Sequence, residues 1–138
     1  MTKYIIDTER GTCVPYSAPT SKKEQMIAIL EAHRGETEYN GLCGVIQRWY
    51  YGSLVKTAWC ATTVSYLLNQ VGITSHKADN VNNLRVSLKS DHYNGTYYEG
   101  KDIPALIKRG DILFWLWNGD TMTNGSSKHV GLAAHDSN

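Results

Sequence analysis

Apolar residues at Ala61, Val64, Leu67, Leu68 and Val71 recur at the spacing of one helix face, and Gly72 follows where such a helix would close. No other stretch limits the fold as strongly. It predicts an amphipathic helix over residues 60–71 and therefore a core for that helix to face. The residue at its start is Cys60, preceded by Trp59. A thiol in that position is either a small buried apolar group or a nucleophile beside the positive end of a helix dipole.

The flanking sequence supplies more helices and then strands. Ser21-Lys22-Lys23-Glu24 has the form of a capping box, with Ser21 as N-cap and Glu24 reaching back. Met26, Ile27, Ile29 and Leu30 form the stripe behind it, and Gly35 stands where that helix would stop. A second short helix is expected within 36–52, carrying Val45, Ile46 and Trp49. A weaker one spans 78–90 through Val81, Leu84 and Leu88. Residues 92–111 read as loop and turn. ILFWLW (112–117) and HVGLAAH (129–135) read as strands, joined by a turn-rich connection. Residues 1–20 read as a short strand (Tyr4-Ile5-Ile6) followed by a Pro-punctuated arm, leaving 21–138 as one domain. Helices first and strands last predict an α+β fold with segregated layers, and 138 residues suffice for one core.

Charge and composition remove several functions. A net charge of +1, with no basic stripe interleaved with aromatics, argues against nucleic acid. No apolar run reaches the length of a membrane span, and MTKYIIDTERG lacks the pattern of a signal peptide. Nine Tyr and four Trp beside a single Phe suit a surface that meets polar, extended ligands. Cys13, Cys43 and Cys60 form neither a disulfide framework nor a zinc pattern. Asp7, Glu9 and Gly11 resemble the opening of a calcium loop, but the later ligands of such a loop are absent. No cofactor is therefore expected, with calcium the one metal the pattern leaves open.

A cysteine nucleophile needs an imidazole to take its proton and return it to the leaving amine. His129 opens a strand far away in sequence and is the candidate base. A packed thiol and a surface imidazole remain the alternative reading of the same two residues.

Three stretches together resemble the CHAP family of cysteine, histidine-dependent amidohydrolases and peptidases, within the NlpC/P60 papain-like group. NGLCGVIQRWYYGSLVKTAWCATTVSYLLNQVGI is similar to the family's Trp-Tyr-Gly run, its Trp-Cys-Ala and the helix that follows. KRGDILFW resembles its Gly-Asp turn and first long strand, and KHVGLAAH the strand bearing its base. The resemblance implies a papain-like α+β domain with N-terminal helices packed on an antiparallel β-sheet. It makes Cys60 the nucleophile and His129 the base. Trp59 is a candidate for the substrate groove with a core role as the alternative, and so is Trp115, through the alternate face (Leu113, Trp115, Trp117) of a stretch that otherwise reads as core. The third polar residue of the family lies on the next strand, where this sequence reads HDSN; Asp136, or His135, would stand in, and the last strands would be cut short. The implied activity is an endolysin-type peptidoglycan hydrolase. It would cut an amide in stem peptides or cross-bridges, or the link between muramic acid and L-alanine as an amidase. The enzyme would wait in the host cytoplasm before lysis and then act at the cell wall, aided by a separate wall-binding domain or subunit. A non-catalytic wall-binding module and a phage structural component that self-associates through an open sheet edge at 129–135 are the other readings.

Overall fold

The computed structural model describes residues 3–7, 12–16, 21–73, 77–90, 107–116 and 128–136. Its elements run β1 (Lys3–Asp7), β2 (Thr12–Tyr16), α1 (Lys22–Ala32), α2 (Gly41–Tyr51), α3 (Cys60–Gln70), α4 (Val81–Ser90), β3 (Ile112–Leu116) and β4 (Lys128–Leu132). Two antiparallel pairs, β1–β2 and β3–β4, accompany the four helices, so the class is mixed α+β.

The N-terminal stretch corrects the expected single strand and arm. It folds back as a hairpin in which Tyr4 faces Pro15 and Ile6 faces Cys13. Proline is tolerated there because each strand of a two-stranded pair keeps one edge free of ladder bonds.

The helices follow from their sequence with one revision. Ser21 Oγ accepts the Glu24 N–H at 3.1 Å, as a capping box requires. The Glu24 carboxylate, however, is engaged by Arg109 Nε at 2.9 Å. A second cap is formed at α2, where Asn40 makes no side-chain capping bond. Glu36 does so from a distance, accepting the Leu42 N–H at 2.7 Å and contacting His33 Nδ1 at 2.7 Å. These contacts, the backbone bond first and His33 second, hold the Glu36 carboxyl below the usual glutamate range. Gly41 lies under this carboxylate, where a Cβ would come within 1.9 Å of Oε2.

The core gathers on α3. Val64, Leu67, Leu68 and Val71 pack with Met26 of α1, Val81 and Leu84 of α4, and Val130 of β4. Leu67 is completely buried at the centre. Ile112, Phe114 and Leu132 close the sheet side of this cluster. An ion-pair clamp fixes the other end of the sheet to α1. Arg109 binds Glu24 and approaches Glu31 at 3.6 Å, and Lys23 pairs with Asp111. Gly110 makes the clamp fit: its φ is +85°, and a Cβ there would lie 2.6 Å from Lys23 Cβ.

β4 runs Lys128–Leu132, ending before the strand expected over 129–135 would end. Ala133 still bonds Asp111 O through its N–H at 2.9 Å, and its carbonyl accepts Gly110 N–H at 2.8 Å. The chain then bends beside the 108–111 turn. Among the described residues no helix is long and apolar enough to cross a membrane. Trp117 and the 92–106 loop lie outside the described residues, as do Glu9 and Gly11 of the calcium-loop pattern.

Candidate active site

Cys60 is the first residue of α3, and Trp59 is its N-cap, with φ −126° and ψ 9° and no side-chain capping bond. The Trp59 carbonyl is heavily used. It accepts the Thr63 N–H at 2.9 Å, the Thr62 hydroxyl at 2.9 Å and the Thr63 hydroxyl at 2.7 Å. Three donors on one oxygen fix the turn that presents the thiol, and the Trp59 side chain caps none of the N–H groups at the start of the helix. Cys60 is half-buried and unpaired.

Cys43 is the contrast within the same chain. It is buried on α2, and desolvation pushes its thiol up; the Tyr39 backbone bond opposes that shift and the Glu38 charge adds to it. A thiol in that setting is held protonated and unreactive. The side chain of Cys13 lies outside the described residues.

The 36–40 loop closes over the segment that precedes Cys60. Trp59 Nε1 donates to Glu38 Oε1 at 3.1 Å, and the Tyr39 hydroxyl donates to Thr57 O at 3.4 Å. Neither Glu38 nor Tyr39 stands out in sequence, because each acts across about twenty residues and belongs to no local pattern. The Thr62-Thr63 pair after Cys60 is the one signal of the bracing that sequence offered.

His129 is held differently. Register places it opposite Trp115, and the two rings stack with centroids 5.4 Å apart and planes inclined by 30°. Gly131 keeps the strand bare beside them: a Cβ there would meet Trp115 at 3.5 Å and His129 Nε2 at 3.8 Å. Trp115 is 40% exposed. A shallow groove of about 330 Å³ continues from Trp115 along Leu113, Leu132, Ala133, Ala134 and His135.

The structure therefore brings Trp115 and His129 together, and it sets Trp59 beside Cys60. Cys60 and His129 share no hydrogen bond among the described residues. Strand alternation explains this: Val130 points into the core with α3, so His129 and Trp115 project from the other face. Cys60 packs against the core side.

Asp136 is placed elsewhere than a third catalytic member would be. Its Oδ1 accepts the Arg109 N–H at 2.9 Å, and its Oδ2 lies 3.9 Å from Lys108 Nζ. His135 Nδ1 contacts the Asp136 carbonyl at 3.1 Å. Both residues serve the turn, and neither bonds His129. Among the described residues no group of three or more His, Cys, Asp or Glu side chains is arranged to hold a metal ion. No family model, no curated protein and no solved structure matches the chain.

Proposed function

We propose that this chain is a cysteine-dependent amidohydrolase of papain-like type that acts on peptidoglycan. The observation that carries the reading is Cys60: a half-buried thiol in no disulfide, on the first residue of α3, packed against the core cluster that includes Val130, the neighbour of His129 in β4. In the reaction the Cys60 sulfur bonds to the amide carbonyl carbon while its proton passes to the His129 imidazole. The first-turn N–H groups of α3 stabilise the oxyanion. The proton then goes to the leaving nitrogen as the C–N bond breaks. Water attacks the thioester, releasing the carboxylate and restoring the thiol. His129 projects from the face of β4 opposite α3, so bringing the imidazole to the sulfur requires the start of β4 to turn over, a larger change than the tightening of a catalytic hydrogen bond. The substrate amide lies in a stem peptide or cross-bridge.

A second reading is favoured by one observation. The stack of His129 on Trp115, on the face away from α3, suits a module that holds wall glycopeptide without cleaving it. Digestion of purified Gram-positive peptidoglycan, followed by mass spectrometry of released fragments, separates the two. New termini with the parent protein and none with Cys60→Ala are expected. Wall binding without new termini would replace the hydrolase reading with the binding one.

A further inference from the structure

We infer that Glu38 is a positioning residue for this site, fixing the Trp59 indole as the wall beside Cys60 against which the substrate rests. The inference rests on the reading of the Cys60 region as a peptidoglycan site and names a residue that reading does not contain. Three hydrogen bonds on its carbonyl fix the main chain of Trp59, which leaves the indole as the part free to turn. Glu38 stops that rotation by accepting the Nε1 proton at 3.1 Å.

The carboxylate is not on a loose arm. Glu36 ties one end of its loop to the Leu42 N–H, and Asn40 Nδ2 donates to Thr37 Oγ1 at 3.2 Å. Tyr39, next in sequence, takes φ +62° and reaches Thr57 O. A non-glycine residue at positive φ is a conformation that the surroundings must hold in place. The loop thus grips the 57–59 segment at two points, one of them the indole itself.

A purely structural role for the indole fits less well. Trp59 is absent from the core cluster and from the half-buried side chains packed on it, whereas its neighbour Cys60 is among the latter. Its polar edge meets an exposed carboxylate, and Trp59 is half-buried and precedes Cys60 directly in the chain. An amphipathic ring with its N–H bonded and part of its surface in solvent suits an interface with a ligand that is apolar on one side and wet on the other. Orienting that ring before the substrate arrives lowers the ordering cost of binding.

The test uses soluble peptidoglycan fragments prepared with a muramidase, and reads their dissociation constant for Cys60→Ala protein and their KM and kcat for the active chain. Glu38→Ala should weaken binding and raise KM by about fivefold, the worth of one hydrogen bond, with kcat within about twofold. Glu38→Gln keeps the acceptor and should restore the parent values. The Trp59 Nε1–H resonance should move in Glu38→Ala and hold in Glu38→Gln, and thermal melts check that both variants fold. Unchanged affinity in Glu38→Ala would overturn the inference. So would a loss that Gln fails to restore, which would mean that the charge acts on the ligand directly. Absence of fragment binding by Cys60→Ala would overturn it as well. Failure of the hydrolase reading is seen separately, as binding without cleavage by the parent.

Discussion

Replacing Leu67 with alanine tests the packing on which the whole site depends. Leu67 is completely buried where α3 meets the sheet and the other helices. The change deletes three carbons, worth about 2.4 kcal/mol of transfer free energy at ~0.8 kcal/mol each. A residual cavity of roughly 50 Å³ adds about 1.2 kcal/mol. The expected loss is therefore about 3.5 kcal/mol. With an unfolding entropy of about 2.1 cal/mol/K per residue, a chain this size should melt about 12 °C lower. Urea titration followed by far-UV circular dichroism measures the loss directly, and an unchanged m-value shows that the native state is still compact. A loss below about 1 kcal/mol would refute the reasoning, because α3 would then not be the element the core is built around.

Three further outcomes follow from particular contacts. Neither amide atom of buried Gln47 finds a partner among the described residues, so Gln47→Leu should raise stability in urea by about 1–2 kcal/mol; a loss would show that the amide is paired. The Glu36 carboxyl sits below its ordinary range, so it stabilises the fold fully above the value it has in the unfolded chain and progressively less as pH falls through its lowered folded value. Acid titration of Glu36→Gln should therefore lack that part of the decline, and a curve parallel to the parent's would contradict it. Trp115→Leu removes the ring over His129. The His129 ring-proton resonances should shift, and stability should fall by about 1 kcal/mol; unmoved resonances would deny the stack.

How far the sequence foretold this molecule depended on the range of each interaction. α3 was readable because its periodic stripe ends at Gly72, and the same stripe placed Cys60 on its first residue. The hairpin β1–β2 was not, because its five-residue strands are short and Pro15 argues against a strand. Ser21 announced its own cap, yet the partner of Glu24 is Arg109, 85 residues away, which no local pattern encodes. The alternating face of β3 that carries Trp115 could be read, and its stacking on His129 is set by strand register. Asp136 was named as a stand-in for the third polar residue that the resemblance implies; its carboxylate instead accepts the backbone N–H of Arg109, a long-range contact that no local pattern encodes.

The central claim is that the Cys60 sulfur becomes covalently bound to the substrate. Acid quenching of the protein during turnover of peptidoglycan fragments, followed by intact-mass and peptide mapping, tests it most directly. A mass increase equal to the acyl fragment is expected, located on the peptide that contains Cys60 and absent from Cys60→Ala. Cleavage that proceeds without this adduct, or that persists in Cys60→Ala, would contradict it.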